Sequence, residues 1–373
     1  MIYLDHAATS PLNREILDTF VQINQRYFAN TSSAHKLGFE VGQLEKQARL
    51  QIARLMNFKE NEVIFTSGAT ESNNLAIKGI ALRYQNRGKH LITSSGEHAS
   101  VLNSFRRLEE EYGFRVTYLP LNAQGKIDVA ELEKAIDEET ILVSLMGVNN
   151  EVGSVNEIGT IGKMLKKYPK IFFHVDATQT IGKVDVDYEN VDLISFSAHK
   201  INGFKGSGAL LKRERADLLP LLNGGGQEFT YRSGTTNFPY EVCLAKALRI
   251  ALENQKERYA YVKGLSTSLK KRLSRIEGVG FNSPEDASPY IVNFSVGKKA
   301  SVVSEALSNR EIYVSTQSAC SSKKASLSHV LKAMGKSDRI SENSIRVSLS
   351  YLNDEAEIQT FADTLEEIVQ NIK

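Results

Sequence analysis

The sequence predicts an α/β protein in which a large, mostly parallel-sheet domain is joined to a smaller α+β domain. Three observations predict it. From about residue 60 onward, short apolar runs of strand length alternate with stretches of helical period. Several of these runs end in turns of small and polar residues, and α/β proteins place their chemistry beyond the carboxyl ends of strands. The last hundred residues then shift to shorter elements.

At 373 residues the chain suffices for roughly two domains and needs no covalent staples. Lys plus Arg (46) against Asp plus Glu (44) leaves +2, so charge gives no reason to expect nucleic acid or an anionic membrane as main partner. The start, Met1 to His6, lacks the basic and apolar regions of a signal peptide, and Ile141 to Val148 is far too short to span a bilayer. A cytoplasmic protein is expected. Cys243 and Cys320 are the two cysteines, which excludes a disulfide framework and a four-cysteine metal site. No metal is expected.

Residues 12 to 28 carry Ile16, Phe20, Ile23 and Tyr27 at helical spacing, and Leu37, Val41, Leu44, Ala48, Ile52 and Leu55 mark a second core-packing helix. Before them Tyr3 to Thr9 is extended and polar; its His6 suits a ligand or a packed loop. Glu62 to Phe65 reads as a strand that runs through Thr66-Ser67-Gly68-Ala69-Thr70-Glu71-Ser72 into a helix marked by Leu75, Ile77 and Ile80. The free N–H groups at such a helix start suit a phosphate, with Gly68 and Ala69 allowing close approach and Thr70 adding a hydroxyl. A plain N-cap at Thr70 is the alternative.

His90 to Thr93 is the next strand, and Glu97-His98 follows at its carboxyl end. A lone histidine there is structural or catalytic, and only its neighbours decide. Phe114 to Leu119 and Ile141 to Met146 are further strands, separated by a helix over 130–136 and followed by Asn149-Asn150-Glu151, where an amide can form a turn or bind a hydroxyl or carboxylate. The apolar strand Ile171 to Val175 delivers Asp176 and Gln179 to its end. A buried Asp needs a donor, such as a pyridinium nitrogen, unless it only caps a helix.

Val191 to Ile194 leads into Ser195-Phe196-Ser197-Ala198-His199-Lys200, read as lying two strands on from Asp176. A lysine aimed by a strand end can form a Schiff base, for which pyridoxal phosphate is the commonest partner, or it can be a surface lysine in a Gly-rich loop. Ser197 and His199 flank it as phosphate donors. Gly224-Gly225-Gly226 leads to Arg232-Ser233-Gly234-Thr235, and helical patterning from Glu241 to about Ile276 predicts one helix or a broken pair, with Cys243 buried and inert.

The final region carries strands 290–294, 312–314 and 344–349 and helices 300–310 and 354–372. Within it Ser315 to Ser326 is a polar run without periodicity that holds Cys320, an unusual place for a free cysteine, with Lys323 and Lys324 favouring the thiolate. Arg346, on a strand between Ile345 and Val347, can grip a carboxylate bidentately or form a structural ion pair. Neither a Gly-x-Gly-x-x-Gly after the first strand nor a Walker-type loop is present.

Taken in order, Thr66 to Ser72, Glu97-His98, Asn149-Asn150-Glu151, His174 to Gln179, Ser197 to Lys200, Arg232 to Thr235 and Ser318-Ala319-Cys320 resemble the cysteine desulfurases of the NifS/IscS type over nearly the whole chain. The resemblance implies a pyridoxal 5'-phosphate (PLP) enzyme of transferase fold type I, the aspartate-aminotransferase fold. It implies a homodimer that takes sulfur from L-cysteine and leaves L-alanine. Residues 12–255 would form the large PLP-binding domain, and 1–11 with 256–373 the small domain carrying the cysteine loop.

Position by position, the resemblance makes Lys200 the Schiff-base lysine, Asp176 the partner of the pyridinium nitrogen and Gln179 a contact of the ring hydroxyl. His98 would lie over the ring, the Ala69 backbone, Thr70, Ser197 and His199 would hold the phosphate, and Thr235 would reach that phosphate from the other subunit. Asn150 and Arg346 would bind the substrate carboxylate, and Cys320 would attack the substrate sulfur. The family often has Gly-Asn-Pro where this chain has Ala29-Asn30-Thr31, and Gly where it has Ala198 and Gln317; the chemistry-bearing positions remain. The rivals are a selenocysteine lyase or aminotransferase of the same superfamily, or a non-catalytic sulfur-relay subunit. Cys320 weighs against the aminotransferase, and Lys200, Asp176 and His98 weigh against the relay. A sulfur-acceptor protein, either an iron–sulfur scaffold or a tRNA-thiolation enzyme, is the expected partner, without direct nucleic-acid contact.

Overall fold

The apolar runs assemble into a seven-stranded sheet whose spatial order is Val63–Thr66, Gly208–Lys212, Leu193–Ser197, Phe172–Asp176, Thr140–Met146, His90–Ser94, Arg115–Leu119. It belongs to a computed structural model that describes residues 1–316 and 327–371. The last five strands of that order pair in parallel, and Gly208–Lys212 runs antiparallel to both its neighbours.

Side chains of a strand alternate between faces, and here both faces are covered. Leu142, Phe172, Leu193 and Leu210 pack with Ile77, Ile80 and Phe105 of the helices Ala69–Tyr84 and Ala99–Tyr112. Their neighbours Val143, Phe173, Ile194 and Leu211 pack on the other face with Ile52 and Leu248, from the helices Lys36–Met56 and Phe238–Glu253. That double coverage explains why the strands read as unbroken apolar runs rather than alternating ones.

Thr66, Ser94, Met146, Asp176 and Ser197 therefore end at one edge of the sheet. Gly208 starts its antiparallel strand at the same edge, opposite Thr66 and Ser197. A Cβ there would stand 2.5 Å from the Phe196 carbonyl oxygen and 2.6 Å from Gly68 Cα, so only glycine lets the two turns approach.

A second, antiparallel sheet is ordered Ser315–Thr316, Ser344–Ser348, Ile291–Ser295, Gly280–Phe281. Its core joins Phe294 and Val347 to Leu265 and Phe361 of the helices Gln255–Leu273 and Glu355–Asn371. The amino terminus threads this region: Ile2–Tyr3 pairs in parallel with Ile312–Tyr313, and Asp5 bridges to Ser348.

The long helical pattern resolves as two helices. They meet at Asn254, whose φ of −105° and ψ of 8° cannot continue an α-helix and whose Nδ2 donates to the Ile250 carbonyl. Asp176 and Lys200 differ from the sequence reading: they leave adjacent strands, because Leu193–Ser197 is the next strand in the chain after Phe172–Asp176 and pairs directly with it. Cys243 is buried, and burial pushes its thiol up to about 12.

Glu228, Phe229 and Thr230 occupy the left-handed region at φ of 49°, 54° and 73°, which is costly for side-chain-bearing residues. A buried clamp offsets that cost. Glu228 accepts from Arg49 Nη1 at 2.7 Å, Arg49 Nη2 at 2.8 Å and the Phe65 amide at 2.8 Å. The clamp fixes the turn from which Arg232 to Asn237 departs. Arg49→Met strands the Glu228 carboxylate in the interior and is expected to cost about 3–5 kcal/mol in denaturant unfolding; a loss below about 1 kcal/mol would contradict the clamp.

Candidate active site

At the carboxyl edge of the large sheet lies a cavity of about 440 Å³, closed on its far side by the second sheet and the amino-terminal segment. Ala69, Thr70, His98, Asn150, Asp176, Gln179, Ser197, His199, Lys200 and Arg346, chosen from the sequence, all line it. Thr235 is exposed and is not among the lining residues. Cys320 lies in 317–326, outside the described residues, although Thr316 and Leu327 on either side of that segment both line the cavity.

One end is built to attract an anion. Gly68, at φ 148°, precedes the helix Ala69–Tyr84 and takes the cap position that Thr70 was a candidate for, because Thr70 is already helical. The Ala69 amide donates to Ser197 Oγ at 2.7 Å, while the amides of Thr70 and Glu71 have no acceptor among the described residues. Ala69 and Thr70 line that end of the cavity, so the positive end of the helix dipole and its free N–H groups lie there. Beside them His199 Nδ1 meets Thr9 Oγ1 at 3.1 Å. Burial and then the Lys200 charge push His199 down to about 4, so it is neutral at pH 7.

Asp176 is buried at the floor. Its Oδ2 accepts from Asn73 Nδ2 at 2.8 Å and its Oδ1 from the Thr178 amide at 3.0 Å. Asn73 also donates to Ser100 Oγ at 2.9 Å, and Ser100 Oγ lies 2.9 Å from His98 Nδ1. The Ser100 amide donates to that same Nδ1 at 3.2 Å, which makes Nδ1 the acceptor and assigns the ring proton to Nε2. Burial lowers the His98 pKa, an effect that Asp176 opposes and Lys200 adds to. A neutral histidine results.

Lys200 Nζ donates to the carbonyls of Ala7 and Ala8 at 2.6 and 2.7 Å. Gln179 Nε2 donates to the same Ala7 carbonyl at 2.9 Å. Arg346 Nη2 pairs with Asp5 Oδ1 at 2.7 Å and its Nη1 donates to the Asn150 carbonyl at 2.9 Å, while Nε is a buried donor with no partner among the described residues. Of the two sequence readings of Arg346, the structure shows the ion pair.

Several site groups escaped the sequence reading. Asn73 was findable: it shares the inward face of its helix with Ala69, Ala76 and Ile80, where an amide is out of place. Asp5 and the Ala7 and Ala8 carbonyls arrive from the far end of the chain and gave no local signal. His6, next to them, is buried with neither ring nitrogen hydrogen-bonded to a side chain among the described residues, and burial pushes it down to about 4, so it is a neutral packed histidine. His329, also lining the cavity, holds the Glu97 carbonyl through Nε2 at 2.9 Å, and Glu151 Oε2 accepts from Ser328 Oγ at 2.5 Å.

This geometry can bind an anion, a protonated ring nitrogen and a carboxylate around one lysine amine. Comparison with known proteins agrees. The Aminotransferase class-V family model matches residues 2–361. A "NifS/IcsS protein homolog" of Lactobacillus delbrueckii subsp. bulgaricus is 41% identical over 100% of this chain and 98% of that protein. "Cysteine desulfurase IscS" of Neisseria meningitidis serogroup C is 40% identical over 100% of this chain and 93% of its own length. A solved structure titled "NIFS-LIKE PROTEIN" superposes with a TM-score of 0.93 at 36% identity and covers 100% of both chains. The chain belongs to the class-V aminotransferase family, alongside NifS- and IscS-type relatives.

Proposed function

We propose that this enzyme is a cysteine desulfurase: it takes sulfur from L-cysteine, releases L-alanine and carries the sulfur as a persulfide on Cys320, with PLP as cofactor. One observation carries the reading. A lysine, a buried carboxylate and a neutral histidine, Lys200, Asp176 and His98, face a single cavity beside unsatisfied helix amides.

The donor set fits the cofactor. The amides and hydroxyl at Ala69–Thr70, with Ser197 and His199, would hold its phosphate, Asp176 its ring nitrogen, Gln179 its ring oxygen, and His98 would lie against the ring. PLP supplies an electron sink for the substrate's α-carbon when bound. Asp176, kept in place by Asn73 and Thr178, would hold a proton on the ring nitrogen. Arg346, through its unpartnered Nε, and Asn150 would take the substrate carboxylate and so orient the α-carbon. Lys200 Nζ would remove the α-proton, and His98 would move a proton at Nε2. The Cys320 thiolate would bond to the substrate sulfur as the carbon–sulfur bond breaks. Support for that last role is that Thr316 and Leu327, which flank the Cys320 segment in the sequence, both line the cavity.

The same reading makes the enzyme a homodimer, with Thr235 donating to the phosphate bound by the partner subunit. Support comes from its exposed position beyond the Arg49–Glu228 clamp. It divides the chain into a PLP-binding domain over 12–255 and a small domain of 1–11 with 256–373, on either side of the cavity. A sulfur-acceptor protein, a scaffold or a tRNA-thiolation enzyme, would collect the persulfide in the cytoplasm. No helix among the described residues is long and apolar enough to cross a membrane.

Cys320→Ser tests the sulfur step. It removes the acceptor thiol but leaves Lys200, Asp176 and His98 intact, so the variant is expected to bind PLP and to change its visible spectrum on adding cysteine, yet to form no persulfide and release no alanine. Cys243→Ser should match wild type. A persulfide mapped by mass spectrometry to Cys243, or normal alanine release without Cys320, would overturn the mechanism. Mixed dimers test the shared site. Lys200→Ala combined with an inactive Thr235→Trp chain should regain activity, because one of the two sites then holds both native residues; no recovery after verified subunit exchange would contradict it.

A further inference from the structure

A second lysine, buried where Lys200 is only half-buried, stands behind it. Lys183, in the turn that follows Phe172–Asp176, is 9% exposed, and its Nζ donates to Gln179 Oε1 at 2.8 Å. Gln179 passes the contact on through Nε2 to the Ala7 carbonyl at 2.9 Å, which also accepts from Lys200 Nζ at 2.6 Å. An unbroken chain of polar contacts thus joins the two lysines.

The chain has a direction. An ammonium can only donate and a carbonyl can only accept, so turning the Gln179 amide over would set donor against donor at Lys183 and acceptor against acceptor at Ala7. Lys183 therefore locks Oε1 inward and leaves the second Nε2–H of Gln179 for the cavity that this residue lines. A buried ammonium needs compensation, and Lys183 has the Gln179 oxygen as its hydrogen-bond acceptor. Burial, with the charges of Lys200 and Arg346, pushes it down to about 7, so without an anion nearby the ammonium is only partly present at neutral pH, and the Ala7 carbonyl alone holds the Gln179 orientation when the amine is neutral. The other charged or titratable groups around this end of the cavity are Asp5, Asp176, His6, His98 and His199, and the three histidines are neutral for the reasons given above. An anion arriving in front of Gln179 would supply what Lys183 lacks.

We propose that Lys183 is a positioning residue: it fixes the orientation of the Gln179 amide and sets a positive charge behind the ring oxygen of the cofactor, holding that oxygen as an anion. The proposal rests on the cofactor assignment above and adds a residue to it. Its consequence is electrostatic. A cation beside the ring oxygen disfavours a proton at the neighbouring Lys200–cofactor linkage, so removing the cation must make that proton bind more tightly.

The test compares wild type, Lys183→Met, Lys183→Arg and Gln179→Leu by two readouts, the pH midpoint of the visible band of the PLP-loaded protein and the affinity of the stripped protein for PLP. Lys183→Met is expected to raise the midpoint by about one pH unit and to weaken PLP roughly 5- to 30-fold. Lys183→Arg, which keeps the charge and donates only, is expected to stay within about 0.3 pH units of wild type. Adding Lys183→Met to Gln179→Leu should weaken PLP by less than it does alone, since the two act through one contact. An unmoved midpoint in Lys183→Met, or equal shifts in the Met and Arg variants, overturns the proposal. Should the Met variant fail to fold, a shifted Arg variant or undiminished PLP affinity in Gln179→Leu overturns it instead. Wild type that develops no visible band with PLP overturns the parent reading as well, whereas a normal band with an unmoved midpoint removes Lys183 alone.

Discussion

A carboxylate buried at the end of a central strand must be surrounded by donors, and much of this site follows from satisfying Asp176. The strand Phe172–Asp176 is buried throughout and lies between parallel neighbours, so Asp176 meets solvent only through the cavity it lines. Asn73, on a helix that crosses the sheet face, and the Thr178 amide in the following turn saturate one side of it. The cavity side is left for a ligand. Because Asn73 also holds Ser100, and Ser100 faces His98 Nδ1, the donor that steadies the carboxylate also fixes the tautomer of the histidine. One constraint sets the protonation geometry of two groups.

Charge is distributed around that carboxylate in a matching way. Lys183, Lys200 and Arg346 cluster on the side of the amino-terminal segment, with Asp5 paired to Arg346 and the Ala7 and Ala8 carbonyls capping Lys200. Together with the free amides at the start of Ala69–Tyr84, these cations favour a ligand that brings its own negative charge. The chain closes the site by returning its first ten residues across the sheet edge, and the bridge from Asp5 to Ser348 ties that return to the second sheet.

The sheet and its active edge were legible in the sequence because double-sided burial leaves unbroken apolar runs, and polar residues at their ends then stand out. Lys200, Asp176, Gln179 and His98 were visible for that reason. What local patterns cannot encode is pairing across the chain. Arg346 meets Asp5 across 341 residues, and Gln179 reaches Ala7 across 172. Neither partner carries a mark of it. The sequence reading set Lys200 two strands on from Asp176, whereas 177–192 holds turns and no strand, and those turns carry Lys183 to its contact with Gln179. Thr235 and Cys320 gained no geometry from the single chain, one by its exposure and the other by lying outside the described residues.

Two lysines one hydrogen-bonded chain apart, Lys183 buried and Lys200 half-buried, make the central claim sharp, since either amine could in principle carry the cofactor. Borohydride reduction of the PLP-loaded enzyme, followed by proteolysis and mass spectrometry, reads which one does. The account predicts a single pyridoxyl adduct on Lys200, with Lys183 unmodified; an adduct on Lys183, or none on either, would contradict it.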